Sequence, residues 1–420
     1  MEETNNEIKE VSSDAPQSQP QEEEDNIQAP SPVEETISLS FKEVEVRYPH
    51  LHLKDWPFQT VPDERFTRIW ADRRTVLEDV YQVMNNLSRR RTSTINLLWA
   101  WFGAGKSHTL KHMAHLCKNK FKMLLPVYTE YPKTVKSFLD LYVYFVSELG
   151  LDLICDIGRG VLTDKNSKEI KKKLRGLSSD FVRSVELLEE DEVLARRWIM
   201  GEKVPKPTLS KHGIGKRIET SDDAVKAIAC IVKMLELSGT CTRIVWMIDE
   251  FQRVGSEKKN VLEDINTGLH SVYNACPNSF SIFLSFSVRE KRNIFSNLSK
   301  ELIDRIGIQK IIEIPKMSSQ DAFSFISDVL FEFRAGEDPS IGTFYPFDED
   351  AVQYIISLIE SSSEIKPRTL MQYFSAVLEA AEAKILRGEM KVINMEFAKK
   401  LLSNYDLFLS FQKESLHDKG

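Results

Sequence analysis

The sequence predicts an α/β protein in which a parallel β-sheet is flanked by helices, with a helical insertion and a C-terminal all-helical domain. Short apolar runs alternate with helical periods as far as about residue 343, which is typical of parallel strands joined by crossover helices. A long, polar, helical stretch at about residues 150–242 interrupts this alternation, and we interpret it as an insertion. Strand-like runs stop after Phe344, where the periodicity becomes helical.

The predicted elements of the core follow in a regular order. Apolar runs predict strands over residues 95–101, 122–128, 244–248, 280–287 and 309–314. Helical periods predict helices over residues 70–87, 107–117, 135–149 and 258–276. A further helix follows the fifth strand, and Ser318 and Asp321 are placed as its capping box.

Three helical periods predict the C-terminal domain, over residues 348–361, 367–387 and 394–411. We therefore divide the chain into a core at residues 37–343 and a helical lid domain at residues 344–420. Residues 1–36 contain eleven acidic residues, one lysine and no aromatic residue, which predicts a disordered acidic tail. Residues 1–36 thus carry a net charge of −10. Because the whole chain carries −7, residues 37–420 carry a net charge of +3.

Composition and charge exclude several classes of protein. A hydrophobic content of 42% and a charged content of 28% are typical of a soluble globular protein, and we expect a cytoplasmic location. No apolar run is long enough for a membrane span, and the acidic N-terminus lacks the apolar region of a secretory signal. The five cysteines form no Cys-x-x-Cys pair, so a disulfide framework or zinc site is not expected. A net charge of +3 permits DNA binding without indicating it.

Residues 100–107, Ala-Trp-Phe-Gly-Ala-Gly-Lys-Ser, match the phosphate-binding pattern Gly-x-x-x-x-Gly-Lys-Ser except that Ala100 replaces the first glycine. A tight glycine loop that opens onto a helix N-terminus directs backbone N–H groups at phosphates. We expect Lys106 to contact the β- and γ-phosphates of ATP and Ser107 to hold Mg²⁺. The alternative is a glycine turn that binds nothing, but the flanking strand and helix favour a binding loop. The predicted nucleotide-binding residues include Phe102, Gly103, Ala104, Gly105, Lys106 and Ser107.

A second chemical signal is Asp249-Glu250, directly after the apolar run Ile-Val-Trp-Met-Ile. The carboxyl ends of parallel strands meet at one edge of a sheet, so both carboxylates are expected beside the phosphate loop. There Asp249 would hold Mg²⁺, directly or through water, and Glu250 would polarise the attacking water. Alone, the pattern also fits a strand that ends in acids at a turn; together with the loop it predicts an ATPase.

Polar residues at three further positions are candidates for the same site. Ser285 and Ser287 lie on one face of the fourth strand, where either hydroxyl could orient the lytic water or contact the γ-phosphate. The alternative is that backbone groups satisfy both hydroxyls. Arg305 lies between the fourth and fifth strands, and Arg368 lies in the first turn of the helix that Pro367 opens. Either arginine could stabilise transition-state charge, and the alternative for each is a surface salt bridge.

Together these residues resemble the AAA+ ATPases, a branch of the P-loop NTPases, over roughly residues 56–411. The helical domain with Pro367-Arg368 is most similar to the initiator clade, which includes origin-recognition and transposon-regulator ATPases. The resemblance implies a sensor-2 role for Arg368 and a sensor-1 role for Ser287 or Ser285. It also implies that Arg305 is an arginine finger acting on a neighbouring subunit, and therefore a homo-oligomer.

A closer likeness lies in motif order. Residues 103–108, Gly-Ala-Gly-Lys-Ser-His, are followed by Arg-Trp-Ile-Met-Gly-Glu at residues 197–202, a Leu-x-x-x-Gly-Ile stretch from Leu209 to Ile214, and then Asp249-Glu250. This order resembles ATP-binding proteins of bacterial phage-defence islands, including the BREX-type ATPases. The resemblance extends the nucleotide-binding set to His108 and implies a role in antiviral defence or mobile-element biology. Ala100 and the undecided sensor 1 depart from the pattern.

The sequence supports one leading function and two alternatives. The leading function is an ATP-hydrolysing oligomeric switch that acts on DNA or regulates a partner protein there. Two basic runs are candidate DNA contacts, residues 89–91 and residues 168–175 of the insertion, although such runs are often only solvated faces. The first alternative is a signalling ATPase whose output is a protein partner, without nucleic-acid binding. The second, a small-molecule kinase, is disfavoured because Asp249-Glu250 indicates water as the nucleophile.

Overall fold

A parallel β-sheet lies at the centre of the computed structural model, which describes residues 46–59, 64–336, 338 and 340–403. The strands run in the order β2-β3-β4-β1-β5, and all neighbouring pairs are parallel. β3 and β4 are buried along their whole length, which accounts for their mostly apolar sequences. The strands are β1 Thr94–Ala100, β2 Leu124–Glu130, β3 Arg243–Asp249, β4 Phe280–Ser287 and β5 Ile306–Ile314.

Of the helices before the insertion, all but the first lie on one or the other face of this sheet. They are α1 Glu64–Thr67, α2 Arg74–Arg89, α3 Lys106–Asn119 and α4 Phe138–Leu149. α2 and α3 share a hydrophobic cluster with Val245 and Met247 of β3. α4 shares the opposite cluster with Ile244 and Trp246. Successive side chains of β3 therefore enter different cores, as the period of two in a strand requires.

The insertion is helical, as predicted. Its helices are α5 Leu151–Thr163, α6 Ser167–Arg175, α7 Ser179–Glu190, α8 Glu192–Ile199, α9 Lys206–Lys211 and α10 Ser221–Leu237. Their apolar side chains continue the cluster that α4 forms on the sheet. α10 begins at a capping box in which Thr220 and Asp223 bond reciprocally to backbone N–H groups. The insertion therefore adds helices to the face of the sheet that α4 covers, and its apolar side chains do not join the cluster under α2 and α3.

The helices after β3 complete the core and form the C-terminal part. They are α11 Lys259–Ala275, α12 Arg292–Phe295, α13 Lys300–Ile303, α14 Ser319–Phe333, α15 Glu349–Ser362 and α16 Pro367–Leu386. Residues 395–403 are also helical. The capping box of Ser318 and Asp321 opens α14 as predicted. Within the described residues, no helix is long and apolar enough to cross a membrane.

α14, α15 and α16 share a hydrophobic cluster with residues near the start of the described chain, among them Leu51, Leu53 and Phe58. The C-terminal helices therefore pack against Leu51, Leu53, Phe58, Phe66 and Ile69. The domain boundary between residues 343 and 344 stays a prediction, and it falls between α14 and α15. The predicted acidic tail, residues 1–36, and residues 404–411 of the last predicted helix lie outside the described residues.

The predicted fold class is confirmed, and most element boundaries differ from the prediction by one to four residues; the backbone explains two of the larger differences. The helix predicted from residue 70 begins at Arg74, because Asp72 and Arg73 have positive φ angles of 55° and 52° that do not continue an α-helix. The fifth strand begins at Ile306 rather than at residue 309, since Ile306 already pairs with Ile95 before a register shift.

Candidate functional site

The phosphate loop joins β1 to α3 at the carboxyl edge of the sheet. Gly103 and Gly105 have φ angles of 77° and 103°, in the left-handed region where glycine is unstrained. Ala100, which replaces the first glycine of the pattern, is the last residue of β1 and pairs with Ser287 and Ile314. A residue in regular strand conformation does not need to be glycine, so this departure from the pattern leaves the loop geometry intact.

Lys106, the first residue of α3, is 4% exposed. Its ammonium group donates a long hydrogen bond of 3.4 Å to the Trp101 carbonyl oxygen. Burial lowers the pKa of Lys106; the charges of Glu250 and Asp249 raise it in part, and that of Arg368 lowers it further. A buried cation with so weak a bond is suited to bind an anion, and a nucleotide phosphate fits this requirement.

Asp249 is the last residue of β3 and is 1% exposed. Its Oδ1 accepts hydrogen bonds from Ser285 Oγ at 2.6 Å and from the Glu250 backbone N–H at 2.9 Å. Its Oδ2 accepts one from Tyr128 Oη at 2.9 Å. Neighbouring strands β2 and β4 therefore fix both carboxylate oxygens beside the phosphate loop, where an oxygen ligand for Mg²⁺ is required.

Glu250 follows with a positive φ of 55°. Gln252 Nε2 donates to its Oε2 at 2.8 Å, and Ser287 Oγ donates to its Oε1 at 3.4 Å. The Ser287 backbone N–H donates in turn to Gln252 Oε1 at 2.9 Å, which closes a ring of three residues. The two serines thus bond side chains rather than backbone: Ser285 holds Asp249, and Ser287 holds Glu250.

A cavity of about 480 Å³ lies between the phosphate loop and the C-terminal helices. Its polar wall brings together five of the predicted site residues, Lys106, Ser107, Asp249, Glu250 and Ser287, and Arg368 of α16 lines it as well. The rest of the loop also borders the cavity, at Phe102, Gly103, Ala104 and Gly105. Its other wall is largely apolar and includes Phe66, Ile69, Trp70, Val329 and Met371. A pocket with one charged wall and one apolar wall suits a nucleotide.

His108 lines the same cavity, and its ring is held by the segment before α2. Its Nε2–H donates to the Ile69 carbonyl oxygen at 2.9 Å, and its ring lies against Trp70. Burial lowers the pKa of His108 to about 4, so the ring is neutral near pH 7. These contacts attach the Ile69–Trp70 segment to α3, and a contact of His108 with the nucleotide stays a prediction.

Arg305 is not brought to this site. It immediately precedes Ile306, which pairs with Ile95 at the amino end of β1, whereas the phosphate loop follows Ala100 at the other end. At about 3.3 Å per residue, the separation along the strand from Ile95 to Ala100 is roughly 17 Å. Arg305 is exposed, its guanidinium lies 5.8 Å from the centre of the Tyr273 ring, and it forms no ion pair with a described residue. The surface salt bridge considered as its alternative is therefore absent from the described part of the chain.

Sequence reasoning missed Tyr128, Gln252, Arg253 and Arg73 as residues of this site. Arg253 contacts Glu250 at 3.8 Å, and Arg73 donates to the Ala104 carbonyl oxygen. The proximity of Tyr128 to Asp249 could be predicted, because Tyr128 lies near the carboxyl end of the strand that pairs with β3. Gln252 and Arg253 offered none, since their contacts depend on the turn that Glu250 makes after the strand.

We expect Tyr128→Phe to raise the Mg²⁺ concentration that activity requires and to leave the fold intact. The Tyr128 phenol bonds Asp249 and interacts with the Ser107 hydroxyl, so it orients both predicted Mg²⁺ ligands. Removal of one partner that orients a metal ligand typically costs about 10–100-fold in metal affinity or activity. The measurement is ATPase rate against Mg²⁺ concentration, with saturating Mn²⁺ as a rescue. A variant with an unchanged Mg²⁺ requirement would show that the phenol only packs; Tyr144→Phe, on the exposed side of α4, is the control.

No protein-family model and no curated protein sequence matches this chain. Among solved structures, it is similar to the ORC2 protein of Aeropyrum pernix in ADPNP-ADP complexes, with a TM-score of 0.50, 12% identity, and coverage of 81% of this chain and 71% of that one. The ORC1 protein of the same organism, in complex with DNA, matches with a TM-score of 0.48, 12% identity, and coverage of 83% and 69%. The RuvB Holliday junction branch migration motor of Thermotoga maritima matches with a TM-score of 0.42, 13% identity, and coverage of 80% and 72%.

The likeness to the ORC2 protein agrees with what this chain shows by itself. The strand order β2-β3-β4-β1-β5 places β4 between the strand of the phosphate loop and the strand of Asp249. Helices flank the sheet, and a helical part that contains Arg368 borders the cavity. This chain therefore has the fold of the AAA+ P-loop ATPases.

Proposed function

We propose that the chain binds ATP with Mg²⁺ and hydrolyses it, working as an oligomeric switch that acts on DNA or regulates a partner protein at DNA. One observation carries the ATPase part of the proposal. Lys106, Ser107, Asp249 and Glu250, from two separate segments of the chain, converge on one cavity that Arg368, from a third segment, also borders. A buried lysine without a strong partner and two carboxylates fixed in different orientations are what nucleotide hydrolysis requires.

Binding divides the cavity into two parts. Lys106 and the backbone N–H groups of the phosphate loop hold the phosphates, and the apolar wall with Trp70 and Met371 receives the base. Ser107 and Asp249 hold Mg²⁺, whose charge offsets that of the phosphates when it is bound. The three hydrogen bonds that Asp249 accepts hold this carboxylate in place.

Glu250 is the residue that we assign to the attacking water. Its carboxylate is held at 2.8 Å by Gln252, so it can accept a proton from water in one fixed direction. Ser287, which bonds Glu250, is our choice for sensor 1, whereas Ser285 positions Asp249. Arg368, close enough to Lys106 to affect its pKa, is our choice for sensor 2.

The oligomer and the cellular setting are further parts of the proposal. Arg305 lies too far from the phosphate loop of its own chain, which supports a site completed by a second copy. The action at DNA is supported by the exposed run at residues 89–91. Antiviral defence or mobile-element biology rests on motif order alone, and a cytoplasmic location rests on composition.

ATPase rates with no nucleic acid, with duplex DNA and with single-stranded DNA test this function. We expect basal hydrolysis that requires Mg²⁺ and that DNA stimulates. Hydrolysis that neither form of DNA changes would favour the signalling ATPase with a protein partner. Absence of any hydrolysis, with ATP still bound, would contradict the assignment as an enzyme.

A further inference from the structure

Six exposed basic residues lie where two helices lead into the sheet, and we name this region the amino-edge surface. α2 ends at Arg89 and continues into β1, and α3 ends at Asn119 and continues into β2. Both helices cover the same face of the sheet, and Lys120 Nζ lies 4.3 Å from the centre of the Tyr81 ring of α2. The surface therefore lies at the sheet edge opposite the phosphate loop. Its residues are Arg89, Arg90, Arg91, Lys118, Lys120 and Lys122.

A buried arginine beneath this surface fixes its backbone. Arg243, at the start of β3, is 2% exposed and donates to the carbonyl oxygens of Leu87 at 3.1 Å, Thr92 at 2.9 Å and Arg90. The neighbouring Thr242 N–H donates to the Met123 carbonyl oxygen at 2.9 Å. β3 thus ties the arginine segment and the lysine segment to one support, so the side chains of both segments project from a rigid edge.

The charges on this edge are not neutralised by the protein. None of the six forms an ion pair with a described residue, and residues 88–92 and 118–123 contain no acidic residue. The basic run of the insertion behaves differently: Lys171 and Arg175 pair with Glu186, and Lys173 pairs with Glu169. The basic run of the insertion is therefore largely ion-paired within the fold. The run at residues 89–91 is exposed and forms no ion pair with a described residue.

We propose that the amino-edge surface binds the phosphate backbone of DNA. This inference rests on the proposed action at DNA and names the surface that makes the contact. Charged residues are depleted at the core of protein–protein interfaces, and the one exposed large apolar side chain within these two segments is Met123, so a protein partner fits poorly. Rows of exposed lysine and arginine without neighbouring acids fit phosphates and give binding that does not depend on base sequence. The nucleotide cavity lies at the other edge of the sheet.

Fluorescence anisotropy of a labelled mixed-sequence duplex with the full chain tests the proposal at several salt concentrations. The test variant combines Arg89→Ala, Arg90→Ala and Arg91→Ala. The control combines Lys171→Ala, Lys172→Ala and Lys173→Ala, which removes the same charge from the insertion. Each phosphate contact contributes about −0.9 to the slope of log affinity against log salt concentration. Loss of three contacts therefore makes the slope shallower by about 2.7. We expect that change, with weaker binding, in the arginine variant alone.

The outcomes separate this inference from the function on which it rests. A wild-type chain that binds no DNA at low salt would overturn both. Wild-type binding that the arginine substitutions leave unchanged would overturn the surface alone. A third outcome is that the arginine variant loses binding to a peptide of residues 1–36 but binds DNA as the wild type does. That outcome would also overturn the proposed DNA surface, because the surface would then bind the acidic segment. Melting temperatures check the fold, and a second variant, Lys118→Ala with Lys120→Ala and Lys122→Ala, must show the same loss of slope if the proposal holds.

Discussion

Glu250→Gln is expected to bind ATP as the wild type does and to hydrolyse it about 10²–10⁴-fold more slowly, the usual contribution of a positioned general base. An amide keeps the size of the side chain and a contact to Ser287, but it cannot accept a proton from the attacking water. Binding survives because Lys106 and the loop, not Glu250, hold the phosphates. Single-turnover phosphate release together with nucleotide retention on the protein measures both properties.

The control for this substitution is Glu263→Gln on α11, whose carboxylate pairs with Lys259 and does not line the cavity. The control should hydrolyse ATP at the wild-type rate. Wild-type hydrolysis by Glu250→Gln would show that another residue activates the water. Loss of ATP binding would show instead that Glu250 maintains the shape of the site through Gln252.

Arg305→Ala is expected to bind ATP normally and to lose about 10³–10⁵-fold in hydrolysis, the range of an arginine finger in other NTPases. The arginine lies at the amino edge of β5, away from the phosphate loop of its own chain. In a head-to-tail assembly it would reach the γ-phosphate of a neighbour, and such contacts build rings or open helices. The matched control is Arg292→Ala, an exposed arginine on α12 paired with Glu290.

A mixing experiment separates a shared site from a loss of fold. Lys106→Ala carries an intact Arg305 but no usable loop, so the two variants complement each other at a mixed interface. Activity should therefore return in part when they are combined. Absence of rescue, together with wild-type activity that stays proportional to concentration down to the monomer, would rule out the shared site.

The sequence predicts the chemistry of this site better than its geometry. Strands and the phosphate loop are local signals, so residues 103–107 and Asp249-Glu250 were found from their own neighbourhoods. The roles of Ser285 and Ser287 were not separable, because both lie on one face of β4. Their partners differ because the backbone leaves β3 at Glu250, which has a positive φ. No residue pattern predicts this backbone feature.

Contacts between distant segments account for most of what was missed. Tyr128 reaches Asp249 through the register of β2 on β3, and Gln252 reaches Ser287 across 35 positions of the chain. The two basic runs looked equivalent in sequence, but Glu186 on α7 pairs with one of them after folding. Packing also places Leu51, Leu53 and Phe58 against the C-terminal helices, which their position in the chain did not indicate.

Isothermal titration of ATP with Mg²⁺ into the wild type and into Lys106→Ala tests the central claim, that this cavity is a nucleotide site. Removal of one partner of a buried charge pair costs about 2–5 kcal/mol, so the account predicts wild-type binding that the variant weakens by about 30-fold or more. Lys300→Ala, exposed on α13, should bind as the wild type does. Equal affinity of Lys106→Ala and the wild type, or no binding of ATP by the wild type, would contradict the account.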